Sequence, residues 1–179
     1  MKIIKTKIKN LLIIEPQIFS DNRGYFFESY NQAKFKEAGL DYNFIQDNQS
    51  MSSYGTIRGL HFQKGGHAQA KLVRVLEGTV LDIAVDLRPN SETYGKHVAV
   101  ELSADNNLQL MIPRGFAHGF SVLSKTAVFF YKCDNKYNKE SEGGIRFDDD
   151  DLNIDWQIPE GKEVISEKDR LLPFLKDIK

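Results

Sequence analysis

A chain of 179 residues is long enough for one sizeable hydrophobic core and short for two. Hydrophobic residues make up 41% and charged residues 27%, and a formal net charge of −1 with no basic stripe excludes a dedicated nucleic-acid binder. The single cysteine, Cys133, excludes an intrachain disulfide and a thiolate zinc cluster; the N-terminal MKIIKTKIKN reads as neither signal peptide nor membrane anchor, so a cytoplasmic protein is expected.

In chain order, the apolar runs Ile3-Ile4 and Leu11 to Ile14, bounded by Asn10 and Pro16, predict two strands or one bent strand. Ser20 to Gly24 is a turn signal before the aromatic run Tyr25-Phe26-Phe27. Asn31 to Ala38 predicts a short helix, with Asn31 as N-cap and Gly39 just past its end. Strands are then expected at Phe44 to Asn48, Arg58 to Phe62, Leu72 to Leu76, Thr79 to Leu87, His97 to Leu102, Leu108 to Ile112, Phe116 to Val122 and Val128 to Tyr131. Such regular spacing with little helix predicts an all-β sandwich or barrel. Within Thr79 to Arg88, Leu81, Ile83, Val85 and Leu87 form the cleaner apolar face and are expected in the core, opposite Asp82 and Asp86. The acidic run Asp148 to Asp151 reads as a solvated patch, and a helix start at Ser166 suggests a small C-terminal helical cap. No linker or repeat divides the chain, so residues 1–179 are read as a single domain.

The richest stretch is RGLHFQKGGHAQAK, from Arg58 to Lys71. Lys71 shares strand parity with Val73 and Val75, and a lysine on a buried face is rare unless it is paired or working. His61 alone in an apolar strand is more often a hydrogen-bonded core residue than a catalyst. Two such residues on what read as adjoining strands shift the balance towards chemistry. Arg23 and Arg58 each abut a glycine, and their planar forks suit phosphate oxygens where no glycine-rich phosphate loop exists. His67 and His97 read as solvated structural residues. Tyr131 reads as a packing residue, and Tyr137 lies in a loop where an aromatic more often serves a ligand.

His118 sits in IPRGFAHGF, which fits P-x-G-x-x-H, the second signature of the cupin barrel. The first signature's paired histidines are absent, since His61 is followed by Phe62 and Gln63, so a metal-free cupin is expected over a metal-dependent oxygenase. Beyond these motifs stand DNRGYFFESYN at 21–31, FIQDNQS at 44–50, YKCDNKY at 131–137 and SEGGI at 141–145. Together they resemble the dTDP-4-dehydrorhamnose 3,5-epimerase family over nearly the whole chain.

The resemblance implies a cupin, or jelly-roll, β-barrel with short peripheral helices, acting on a dTDP-sugar without metal or cofactor. It implies His61 as general base, Tyr131 as acid, Asp169 orienting His61 and Lys71 stabilising an oxyanion. Arg23, Phe26, Glu28, Gln46, Asn48, Arg58, His118, Glu142 and Lys168 would hold the nucleotide sugar, with Tyr137 stacking on the base. It further implies a homodimer in which Arg23, Phe26 and Glu28 reach into the partner's site. Lys136 and Phe147-Asp148-Asp149 depart from the family pattern beside the stacking loop. A single-carbon epimerase, a ketoisomerase and a non-catalytic sugar-binding cupin remain alternatives.

Overall fold

The computed structural model describes residues 1–178. In chain order these form β1 (Lys2–Lys5), β2 (Leu12–Glu15), β3 (Phe19–Asp21), β4 (Gly24–Phe26), α1 (Gln32–Glu37), β5 (Gln46–Ser53), β6 (Ile57–Gln63) and β7 (Lys71–Glu77). There follow β8 (Thr79–Asp86), β9 (His97–Ser103), β10 (Gln109–Ile112), β11 (Phe116–Val122), β12 (Thr126–Cys133), β13 (Glu142–Gly144) and α2 (Glu167–Arg170). A six-stranded sheet runs β1-β2-β10-β7-β12-β5, and a five-stranded sheet runs β13-β6-β11-β8-β9. The β3–β4 hairpin is a separate ribbon. The all-β jelly-roll expectation holds, as two open sheets packed face to face rather than a closed barrel.

Three apolar layers hold the sheets. Between them, Val73, Val75 and Phe129 meet Val80, Ala84, Phe116 and Phe120. Outside the five-stranded sheet, Leu81, Ile83 and Val85 pack on Ile145, Leu152 and Trp156 of the C-terminal segment. Outside the six-stranded sheet, Ile14, Leu72 and Met111 pack on Phe35 and Leu40. Helix α1 is too short to stand alone. Asn31 caps it by accepting the Lys34 N–H at 3.2 Å, Gly39 ends it at φ +82°, and Phe35 anchors it, a burial that contributes about 1.5–3 kcal/mol.

Several expectations need correction. Both faces of β8 are core, not one, because the C-terminal segment covers the face that the sheet partner does not; Asp82 and Asp86 are fully buried with the inner set. Strand β5 runs on to Ser53, beyond the expected end at Asn48, and β12 continues to Cys133. The short β13 lies outside the expected set; its Glu-Gly-Gly sequence carries no strand signal, and pairing with β6 alone makes it extended. The helical cap is one α-turn and a 3-10 turn on an otherwise irregular segment. The acidic run is not wholly solvated: Asp149 is buried and accepts the Leu152 and Leu175 N–H groups at 2.9 and 2.6 Å.

Candidate active site

A cavity of about 880 Å³ lies between the two sheets. Strands β6 and β11 wall it on one side, β5, β7 and β12 on the other, and α2 stands at its rim. His61 and Lys71 are therefore not on adjoining strands, as their closeness in sequence suggested. The chain crosses from one sheet to the other between them, and the two side chains line opposing walls.

On the β6–β11 wall, His61 and His118 are cross-strand partners. The register breaks one step further on, where Gly59 faces Gly119. A Cβ on Gly59 would come within 2.6 Å of the His118 carbonyl oxygen, and its φ of +112° suits glycine alone. That contact brings the two strands together and sets both histidines on the cavity. His61 Nε2 lies 2.7 Å from Asp169 Oδ1, and the other Asp169 oxygen accepts the Gly59 N–H at 3.3 Å. Asp169 sits there because Ser166 caps α2, accepting the Asp169 N–H at 3.1 Å. Burial raises the Asp169 carboxyl, but the hydrogen bond and charge of His61, with the Gly59 amide and Ser166, hold it below its ordinary value. The imidazole is thus oriented by a buried carboxylate, the usual dress of a general base.

His118 Nε2 is 2.9–3.0 Å from both oxygens of Asp82, and its ring lies over Phe129 at 5.9 Å. Arg58 extends along the same wall and donates from Nε to Ser52 Oγ across the cavity at 2.9 Å.

The opposite wall carries Lys71 and Tyr131, with the ammonium 5.7 Å from the phenol ring's centre. Lys71 is half-buried, and burial lowers its amine from the ordinary value despite nearby Cys133 and Asp82, which act the other way. Burial likewise raises the Tyr131 hydroxyl, helped by Cys133 and opposed by Arg58, so the phenol keeps its proton at neutral pH. Cys133, behind Lys71, is pushed up to about 11 by burial and is no nucleophile. Asn48 lines the cavity, accepting from Gln46 Nε2 at 3.0 Å. The inner side chains of β5 (Asn48, Ser50, Ser52) are polar because they face this cavity rather than a core.

At the rim, Glu142 accepts from Lys168 Nζ at 2.7 Å and from the Tyr137 hydroxyl at 3.2 Å. Tyr137 and Gln46 stand just off the lining. Arg23, Phe26 and Glu28 lie apart from the cavity: Arg23 pairs with Asp21, Glu28 with Lys34, and Phe26 is 69% exposed. Asp82 escaped the sequence-based choice. The signal was there, an aspartate interrupting the apolar TVLDIAVDL, but strand parity alone placed it on the polar side. Among the described residues no group of three or more His, Cys, Asp or Glu side chains could hold a metal ion.

The model of the dTDP-4-dehydrorhamnose 3,5-epimerase family matches residues 5–177. The Escherichia coli dTDP-4-dehydrorhamnose 3,5-epimerase is 51% identical, covering 99% of this chain and 96% of that protein. The crystal structure of the Elizabethkingia anophelis enzyme of the same name is 63% identical with a TM-score of 0.95, covering 99% and 97% of the two chains. A Legionella pneumophila dTDP-6-deoxy-D-glucose-3,5-epimerase, solved with dTDP-4-keto-L-rhamnose, is 47% identical with a TM-score of 0.95, covering 99% and 94%.

Proposed function

The chain belongs to the dTDP-4-dehydrorhamnose 3,5-epimerase family, and from that premise we propose how its cavity works. The enzyme is an isomerase that converts dTDP-4-dehydro-6-deoxy-D-glucose to dTDP-4-dehydro-L-rhamnose by inverting carbons 3 and 5. The observation that carries the assignment of roles is the opposition of the His61–Asp169 pair on one sheet to Tyr131 and Lys71 on the other.

A hydrogen α to the 4-keto group is acidic because its loss gives an enolate. His61 takes that proton, and Asp169 holds the imidazole in place and stabilises its charge. Negative charge gathers on the 4-oxygen, where the Lys71 ammonium meets it; preorganised charges of this kind often supply the greater part of an enzyme's rate enhancement. Tyr131 then protonates the carbon from the opposite face and recovers its proton from solvent, while His61 releases the one it took. Substrate and product are isomers, no electron changes hands, and the chemistry needs no metal or nicotinamide.

Arg58 and Lys168 supply positive charge suited to a diphosphate, with His118, Asn48, Gln46 and Glu142 as further polar contacts and Tyr137 for the base. The β3–β4 hairpin, with Phe19, Tyr25 and Phe26 exposed, fits a second copy of the chain, whose site would receive Arg23, Phe26 and Glu28. The free, buried Cys133 fits the cytoplasm, and the whole chain is read as a single domain.

The decisive experiment uses Tyr131→Phe with dTDP-4-dehydro-6-deoxyglucose in deuterium oxide, read by proton NMR. Wild type should incorporate deuterium at carbons 3 and 5 and give inverted product. The variant should still exchange through His61, with configuration retained, while inversion falls sharply. Inversion at nearly the wild-type rate would remove Tyr131 as the acid, and loss of exchange as well would break the two-face assignment. Exchange confined to one carbon in wild type would point to a single-carbon epimerase.

A further inference from the structure

His118 lines the cavity beside His61, its cross-strand partner, yet moves no proton in the reaction above. Both oxygens of the fully buried Asp82 lie 2.9–3.0 Å from its Nε2. A carboxylate only accepts, so Nε2 carries the hydrogen and Nδ1 is left with its lone pair. Phe129 lies along the ring at 5.9 Å and leaves the imidazole little freedom to turn. No protein group bonds to Nδ1. Among the described residues, the only sealed side-chain nitrogen or oxygen without a hydrogen-bond partner is Arg74 Nε. Nδ1 of His118 therefore reaches open space, and the open space beside His118 is the cavity.

His61 has the same arrangement, with Nε2 on a buried carboxylate and no protein partner on its other nitrogen. The two histidines differ in exposure: the His61 side chain is 33% exposed and the His118 side chain 8%. A base must return its proton to solvent at each turnover, which suits His61, whereas a nearly sealed imidazole suits holding a ligand in place. On the epimerase reading, we infer that His118 determines specificity: its Nδ1 accepts a hydrogen bond from the 3-hydroxyl of the sugar. The sugar's own hydroxyl donors are at carbons 2 and 3, because carbon 4 is a ketone and carbon 6 a methyl. Carbon 3 is one of the two that must come to His61, so its hydroxyl is the donor brought beside His118. The contact selects for that hydroxyl, since a substrate without it leaves a buried acceptor unpaired.

His118→Phe keeps a flat ring and removes the acceptor. Deuterium exchange at carbon 5 is read for dTDP-4-dehydro-6-deoxyglucose and for its 3-deoxy analogue. On the first, the variant's kcat/KM should fall ~10-fold or more; on the analogue, variant and wild type should be nearly alike. Equal losses on both would overturn the proposal, because a purely structural role does not depend on the hydroxyl. If the variant does not fold, having left Asp82 buried without its partner, the wild type decides. Its kcat/KM should then be ~10-fold or more lower on the analogue, and equal values would overturn the proposal. The ¹⁵N NMR spectrum of the wild type at pH 8, without substrate, should show His118 protonated at Nε2 alone; a proton on Nδ1 would overturn it too. Failure of the wild type to exchange either carbon would sink the epimerase reading, while the spectrum would still decide whether Nδ1 is an acceptor.

Discussion

His61 is held by one carboxylate and paired across the strands with a second histidine held by another. On the proposed mechanism the first pair acts as a unit, which makes its mutants non-additive. His61→Asn should lower turnover by ~10²–10⁴-fold, the usual scale for a general base. Asp169→Asn should also cost much of that, because the imidazole loses both its orientation and the charge that stabilises its protonated form. The double variant should be scarcely worse than His61→Asn; multiplied losses in steady-state kinetics would mean that the two residues act separately. The pH dependence of Lys71 has the opposite sign to that of the carboxylates. Its amine titrates below the ordinary 10.5, so any rate that depends on the ammonium is lost as pH rises through that lowered value. Of these residues, His61, Lys71 and His118 were legible from motif and parity. The link from Asp169 to His61, 108 positions away, came only through the family resemblance, since no local pattern encodes it.

Strand β8 shows how an element can be read correctly in extent and wrongly in environment. Its last residue, Asp86, is fully buried and gathers the loop that follows: it accepts from Arg88 Nε, Arg88 Nη2, Ser91 Oγ and Thr93 Oγ1 at 2.6–2.8 Å. Burial raises this carboxyl, but Arg88 and the two hydroxyls outweigh it and hold it far below the ordinary 3.8. A depressed carboxyl contributes stability that is fully present above the unfolded value and lost as pH falls through the folded one. Asp86→Ala should destabilise the protein by about 3–5 kcal/mol at pH 7, leaving Arg88 without its partner. In urea unfolding the gap between wild type and variant should narrow at pH 3; a constant gap would mean that Asp86 acts through packing. Strand β5 is the mirror case. The expected strand stops at Asn48, yet β5 pairs with β12 through Ser53, its inner polar side chains facing the cavity.

At the scale of the whole molecule, the hairpin β3–β4 leaves Phe19, Tyr25 and Phe26 exposed, and three residues assigned to the substrate stand away from the cavity of their own chain. A homodimer with shared sites makes a quantitative prediction. His61→Asn and Arg23→Ala, each nearly inactive alone, should regain about a quarter of wild-type activity when mixed at equal amounts and allowed to exchange subunits, since half the dimers are mixed and each has one intact site. No recovery, or only monomer in sedimentation at micromolar concentration, would confine every residue to its own subunit. Sequence alone determined the all-β class, most strand positions, the α1 caps and the family, because alternation, turn residues and spaced motifs are local and survive without coordinates. Tertiary structure decided what sits opposite what: His61 and Tyr131 on different sheets, both faces of β8 buried, Asp82 bonded to His118, and Asp149 inside rather than out. The physical reason is that parity tells which residues share a face of a strand, whereas the packing of a second sheet and a C-terminal segment decides what that face meets.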